Sequence, residues 1–185
     1  MIVGLGNVGS EFEGTRHNLG FMVVDEVSSK LKTKFRPGKG DYYYFEAHHA
    51  GEDLVFVKPT TFMNNSGVAV VEAAERYGVG IADLLVAYDD FNLPLGTLRI
   101  RRGGSDGGHN GVSSIIYQLN DDGFPRLRCG IGTEEVVPGR DMAEFVLSRF
   151  EGNEIPEVEK MIASASDAVF VFINEGIVPA MNRFN

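Results

Sequence analysis

The sequence predicts an α/β fold in which one mixed, twisted β-sheet is flanked by helices, all in a single domain spanning residues 1–185. Three features lead to that expectation. Short apolar runs at Ile2–Leu5, Leu84–Tyr88 and Leu127–Ile131 have the length and composition of buried strands. Apolar residues recur at helical spacing elsewhere, most clearly at Val158, Met161, Ile162, Ala165, Val169, Phe172 and Ile173. A hairpin pattern, Tyr42–His49 followed by Leu54–Lys58, is set among the strand–helix alternations, which makes the sheet mixed rather than purely parallel.

Taken in order, Ile2-Val3-Gly4-Leu5 opens the domain as a short buried strand, and the polar, glycine-interrupted stretch Glu11–Asn18 reads as loop. Leu19, Met22, Val23, Val27 and Leu31 share one helical face, with Asn18 placed to cap the helix N-terminus. Lys30–Lys39 ends that helix and forms a loop closed by Pro37-Gly38. The aromatic and β-branched strands of the hairpin are separated by Gly51-Glu52-Asp53. Pro59–Asn65 is expected as loop, and Ser66 as the cap of a helix that runs to about Tyr77 and ends at Gly78. A strand then ends at Asp89-Asp90. Thr97–Arg102 alternates apolar with basic residues as a half-exposed strand does. A glycine-rich loop, Gly103–Gly111, precedes a helix over Val112–Leu119.

Composition narrows the function. Hydrophobic residues make up 43% and charged residues 23%, ordinary for a soluble globular protein. No apolar run reaches membrane-spanning length, the N-terminus lacks the pattern of a signal peptide, and the one cysteine, Cys129, fits a reducing compartment. These point to the cytoplasm and away from a membrane. The net charge of −9 is unusual for a nucleic-acid binder, so any such binding must rest on local basic patches. Lys30, Lys32, Lys34, Arg36 and Lys39 form one basic stretch, Arg99, Arg101 and Arg102 a second, and Arg126 with Arg128 a third. Acids dominate from Glu134 to Glu159.

Gly4-Leu5-Gly6-Asn7-Val8-Gly9 spells G-x-G-x-x-G after a strand, the string of a dinucleotide-binding turn. That motif needs a helix opening at its third glycine, and Ser10-Glu11-Phe12-Glu13-Gly14 does not begin one. Asp25 and Glu26, at the spacing of the ribose-binding acid, fall inside the first helix. The glycines better suit a sharp turn at a strand's carboxyl end, where ligands of α/β sheets bind and where Asn7 presents an amide. Further polar clusters follow other strand ends: Thr15-Arg16-His17-Asn18, Met63-Asn64-Asn65, Asp89-Asp90 and His109-Asn110. No cluster has the ligand spacing of a zinc site, and no serine sits in a G-x-S-x-G elbow.

Gly4-Leu5-Gly6-Asn7, Thr15-Arg16-His17-Asn18, Lys58-Pro59-Thr60-Thr61-Phe62-Met63-Asn64 and Gly107-Gly108-His109-Asn110-Gly111 resemble, in order and spacing, the bacterial peptidyl-tRNA hydrolase family. So do Arg126-Leu127-Arg128-Cys129-Gly130-Ile131-Gly132 and Phe145-Val146-Leu147-Ser148, and the resemblance covers nearly the whole chain. It implies a monomeric, cofactor-free and metal-free esterase that releases peptides, or N-blocked amino acids, from the 3' end of peptidyl-tRNA. It makes His17 the general base, Asp89 its partner, and Asn7 the residue that tells N-blocked from free aminoacyl-tRNA. It assigns Phe12, Phe62, Asn64 and Asn110 to contacts with the peptidyl end and terminal adenosine.

The chemistry suits these residue types. A neutral imidazole takes a proton from water near neutral pH, and a carboxylate on its other nitrogen fixes the tautomer. Side-chain amides donate to a developing oxyanion, with Asn64 the first candidate and Asn110 a candidate for holding the water or the peptide backbone. Arg99, Arg101, Arg102, Arg126 and Arg128 are expected to face acceptor-stem phosphates. Asp90 competes with Asp89 as partner, and His109 is either a second functional imidazole or a structural loop residue. This chain departs from the family in having Phe12 where Tyr is frequent, Tyr88 where His is common, and Arg at Arg99 and Arg101. The competing readings are a non-catalytic RNA-binding relative, a dinucleotide enzyme, and a hydrolase of another N-acyl ester.

Overall fold

The computed structural model describes residues 1–133 and 142–185; residues 134–141, where the acidic region begins, lie outside that description. Strands β1 (Ile2–Gly4), β2 (Arg36–Pro37), β3 (Tyr42–His49), β4 (Glu52–Pro59), β5 (Leu85–Pro94), β6 (Leu98–Arg101) and β7 (Arg126–Gly132) form one seven-stranded sheet in the order β2-β3-β4-β1-β5-β7-β6. The central strands β4, β1, β5 and β7 run parallel, and the flanking ones pair antiparallel. Six α-helices are described: α1 (Leu19–Lys30), α2 (Ser66–Tyr77), α3 (Asn110–Leu119), α4 (Met142–Leu147), α5 (Ile155–Glu175) and α6 (Ile177–Phe184).

Strand periodicity divides the core. Ile2, Phe56 and Leu85 face α1 and α5, whereas their chain neighbours Val3, Val57 and Val86 face α2 and α3. Both faces of the parallel centre are thus covered, which explains its uninterrupted apolar strands. Each fully buried Leu, Ile or Phe contributes roughly 1.5–3 kcal/mol. Phe45 and Phe56, opposite each other on β3 and β4, stack at 4.4 Å.

Several boundaries differ from the sequence expectation, each for a local reason. The hairpin turn is Ala50-Gly51, both at positive φ (54° and 86°), the geometry of a two-residue I′ turn, so Glu52 and Asp53 join β4. The Lys30–Lys39 segment contributes the short edge strand β2. Asn18 holds the N-cap position of α1 but makes no side-chain cap bond, and Ser66 lies one residue inside α2. The Asn18 side chain instead bonds the Asn7 backbone, and Ser66, already helical, bonds the Met63 carbonyl at 2.8 Å. β5 continues past Asp90 to Pro94, with a register shift between those two residues. Beyond Gly176 the chain forms α6, a helix additional to those expected from the sequence. The terminal Asn185 side chain there receives the Ile100 N–H and donates to its carbonyl, closing part of the β6 edge.

The contact that positions the site is between β1 and the start of α1. A Cβ on Gly4 would stand 2.7 Å from the Gly20 carbonyl carbon, and one on Gly20 2.5 Å from the Leu5 nitrogen. Gly6 is as tightly covered, by the Phe21 ring. The first two glycines of the G-x-G-x-x-G string therefore admit a helix packed against the backbone. After Gly9 the chain turns, enters a 3₁₀ turn at Arg16–Asn18 and begins α1 only at Leu19, so no helix N-terminus faces the third glycine.

Candidate active site

The close seat of α1 brings the 3₁₀ turn Arg16–Asn18 against β5. Its central residue, His17, is 7% exposed and meets Asp89, on β5 and 1% exposed. His17 Nδ1 lies 2.9 Å from Asp89 Oδ1 and 3.1 Å from Oδ2. Asp90 points elsewhere: it accepts from Arg128 Nε at 2.5 Å and from the Asn92 N–H at 2.8 Å. The carboxylate that faces His17 is thus Asp89.

His109 completes the cluster from the other side. Its Nε2 is 3.1 Å from Asp89 Oδ1, and its Nδ1 accepts the backbone N–H groups of Gly111 and Val112 at 3.1 and 3.2 Å. It is therefore the side-chain N-cap of α3. A nitrogen that accepts two N–H groups carries no proton, so the His109 proton resides on Nε2 and is donated to Asp89. Burial alone would raise the Asp89 pKa, but His17 and then His109 outweigh it by charge and hydrogen bonding and hold the carboxyl well below its usual range. Asp89 stays ionised and acts only as acceptor, so the His17 proton sits on Nδ1 and leaves the lone pair on Nε2. Among the described residues, nothing hydrogen-bonds that Nε2.

Three potential ligand atoms, one each from His17, Asp89 and His109, lie within 4.8 Å of one another. The donor chemistry does not suit a metal. His109 Nε2 would have to give up its proton while its Nδ1 still faces two N–H donors, which calls for an imidazolate. Cys129 pairs in register with Asp89 on β7, and burial, then Asp89 and Asp90, push its thiol far up. It is a core residue and no nucleophile.

The amides approach along the same edge of the sheet. The Asn7 backbone N–H donates to Asn18 Oδ1 at 2.7 Å, Asn18 Nδ2 donates to the Asn7 carbonyl at 3.0 Å, and Asn7 Oδ1 accepts the Met63 N–H at 3.2 Å. Among the described residues nothing accepts from the Asn7 NH₂, which can donate to a ligand. Asn64 and Phe62 lie at the exposed 3₁₀ turn after β4, with Phe62 76% exposed, and Asn110 is the exposed first residue of α3. Gly111 lets α3 approach Met63, since a Cβ there would stand 2.5 Å from the Met63 sulfur. Phe12 is half-buried in the turn before the 3₁₀ segment. Beside Asn7 a cleft of about 430 Å³ is lined by Asn18, Phe21, Met22 and the Lys58–Asp25 ion pair.

The arginines divide into two kinds. Arg99, Arg101 and Arg102 are at least partly exposed and have no ion-pair partner among the described residues. Arg128, opposite Arg99 on the neighbouring strand, is partly exposed and paired with Asp90. Arg126 corrects the sequence expectation: it is 2% exposed, donates to the carbonyls of Ser105 and Asp122, and lies over the Phe124 ring. Two of its guanidinium nitrogens hold backbone carbonyls around the glycine loop, and at 2% exposure it is not the surface arginine the sequence led us to expect. A hollow of about 190 Å³ lies between Arg101, Arg126, Arg128, Asp90, Ser105 and the loop glycines.

Sequence reasoning missed the interlock of Asn18 with Asn7 and the double engagement of His109. Histidine is outside the usual N-cap set, so nothing in the local pattern announced it. It also missed the burial of Arg16, which forms a bidentate pair with Glu154 at 3.1 and 2.8 Å between the rings of Phe145 and Phe150.

Comparison with known proteins agrees with this architecture. The profile of the family described as peptidyl-tRNA hydrolase matches residues 1–185. A peptidyl-tRNA hydrolase of Chlorobaculum parvum is 45% identical over 185 residues, covering 100% of this chain and 97% of that protein. One from a Thermoanaerobacter species is 46% identical over 190 residues, covering 100% and 98%. The crystal structure of peptidyl-tRNA hydrolase from Acinetobacter baumannii superimposes with a TM-score of 0.93 at 32% identity, over 100% of this chain and 93% of that one. By sequence and by fold, the chain belongs to the peptidyl-tRNA hydrolase family.

Proposed function

We propose that this protein hydrolyses the ester joining a peptide, or an N-blocked amino acid, to the 3' end of tRNA, with His17 as the general base. The observation that carries the reading is the buried His17–Asp89 pair at 2.9 Å, which leaves Nε2 as a proton acceptor. Water gives a proton to that nitrogen as its oxygen attacks the ester carbonyl, and Asp89 stabilises the imidazolium that forms. The resulting tetrahedral oxyanion takes hydrogen bonds from side-chain amides, of which Asn64 is the first candidate. Collapse expels the ribose oxygen, which recovers the proton from His17, so free tRNA and a peptide acid result.

Asn7, held by Asn18 and Met63, offers its free NH₂ to a carbonyl of the blocked amino group, a partner that free aminoacyl-tRNA lacks. Phe12, Phe62 and Asn110 line the approach for the peptidyl end and terminal adenosine. Arg99, Arg101, Arg102 and Arg128 take acceptor-stem phosphates, and the hollow between Arg101 and Arg128 has room for one. Phosphate contacts do not read sequence, as an enzyme accepting every tRNA requires. The reading extends to a monomer working in the cytoplasm without a cofactor. Among the described residues no helix is long and apolar enough to cross a membrane.

Incubation with N-acetyl-aminoacyl-tRNA and with unblocked aminoacyl-tRNA tests this directly. Rapid release from the first alone is expected. Binding without release would make the chain a non-catalytic RNA-binding relative, and release from both would remove the discriminating role of Asn7.

A further inference from the structure

We propose that His109 is a positioning residue that sets the basicity of His17 by sharing the Asp89 carboxylate, with its own proton held on the necessary nitrogen by the N-terminus of α3. The inference rests on His17 being the base, but its geometric core does not depend on the reaction. Asp89 Oδ1 receives two ring nitrogens, His17 Nδ1 at 2.9 Å and His109 Nε2 at 3.1 Å. The two rings stand 4.8 Å apart. On its far side His109 accepts from two amides of the first turn of α3.

That arrangement has a direction. The amides at a helix N-terminus carry partial positive charge, and their donation to Nδ1 both forbids a proton there and makes the Nε2–H a stronger donor. A stronger donor on Oδ1 draws negative charge away from the oxygen that His17 also meets. The carboxylate then still holds the His17 ring in place while attracting a second proton on that ring less strongly, and only the singly protonated ring can accept a proton from water. With His109's donor removed, the carboxylate acts on His17 alone, and the imidazolium gains stability.

The neighbouring groups leave the effect readable. From β5, Tyr88 packs its ring 5.0 Å from His109, and its hydroxyl is pushed up to about 12, chiefly by burial. From β7, the Cys129 thiol is pushed far up, and Arg128 is engaged with Asp90. From the 3₁₀ turn, Arg16 is engaged with Glu154. Neither Tyr88 nor Cys129 changes charge where an imidazole ordinarily titrates.

Two substitutions separate the cap from the carboxylate contact. In His109→Asn, the amide oxygen takes the place of Nδ1 and keeps the cap, while the side chain falls short of Asp89. In His109→Gln, the amide nitrogen takes the place of Nε2 and keeps the donor to Asp89. The titration of the His17 ring is followed by NMR in the full-length protein without substrate, alongside the pH dependence of kcat/KM on N-acetyl-aminoacyl-tRNA. The expected result for His109→Asn is a folded protein in which His17 takes up its second proton about one pH unit higher, with the acid limb of the rate profile moved to match. For His109→Gln, the expected midpoint is near that of the unsubstituted protein, even though the helix loses its cap. A His17 titration unmoved by His109→Asn overturns the proposal and leaves His109 as a helix cap only. A moved titration in a protein that releases no peptide would instead overturn the hydrolase reading while upholding the coupling of the two rings.

Discussion

Arg16 and His17 are adjacent in the chain, and each is a buried base matched to a carboxylate, yet the two pairs are built for different ends. Arg16 lies between two phenylalanine rings with both guanidinium nitrogens on Glu154, and its Nε reaches Ser148 Oγ. Hydrogen bonds from Arg16 and from the Glu151 N–H, with the charge of Arg16, overcome the effect of burial and lower the Glu154 pKa. Every strong donor has a partner and nothing is left to react. His17 has one nitrogen on Asp89 and, among the described residues, no partner for the other. The first pair ties the 3₁₀ turn to the segment around α4 and α5, and the second uses the turn so fixed. A buried charge with all its partners belongs to the scaffold, whereas a buried titratable group with one lone pair unclaimed marks a place for chemistry.

Substitutions at the two pairs should therefore fail in different ways. The largest effect expected is from His17→Ala, which lowers kcat on N-acetyl-aminoacyl-tRNA by roughly 10² to 10⁴-fold, the usual range for base catalysis. Asp89 keeps His109 as a partner, so the protein should still fold, with some loss of stability and with tRNA affinity retained, and near-normal turnover would remove His17 from the base role. Glu154→Gln should do the reverse. It leaves Arg16 buried and uncompensated at a cost of about 3–5 kcal/mol of stability, read by denaturant unfolding, while protein still folded at low temperature keeps its turnover. A loss of turnover without a loss of stability would erase the distinction between the pairs.

The same variant carries a pH signature. Because Glu154's pKa is lowered in the folded protein, its stabilisation is fully present above the unfolded carboxyl pKa and is lost as pH falls through the folded value. The unsubstituted protein should lose stability on acidification below about pH 4 more steeply than Glu154→Gln does. The smallest effect sharpens the contrast with an arginine that has no ion-pair partner among the described residues. Arg101→Gln should reduce the slope of log Kd for tRNA against log salt by roughly 0.7–0.9, one phosphate contact, with stability unchanged. An unchanged slope would take Arg101 out of the footprint.

Much of this was legible in the residue order. The alternation of Ile2 with Val3 and of Leu85 with Val86 requires a sheet covered on both faces, because successive side chains of a strand point to opposite sides. The spacing of Val158 to Ile173 likewise leaves little choice but a helix. His17, Asp89 and the asparagines stood out because several polar clusters followed strand ends in the order of one family. Arg126 did not stand out as different from Arg128. Both lie on one strand two residues apart, and only the packing of Phe124 and the glycine loop turns one guanidinium inward while the other stays at the surface. The Asn18 side chain was read as a helix cap because local rules see only local partners, and its actual partner is eleven residues away.

The sequence by itself thus determined the elements, the mixed sheet and the set of polar residues available, since periodicity and turn chemistry act over a few residues. The tertiary structure decided which of those residues meet. Asp89 is 72 positions from His17 and 20 from His109; His17 reaches it from the turn ahead of α1, the helix that Gly4 and Gly20 let close down on β1, and His109 reaches it from the N-terminus of α3. No local rule fixes such a meeting. It follows from close packing across the sheet, where the absence of two Cβ atoms sets the distance at which an imidazole reaches a carboxylate.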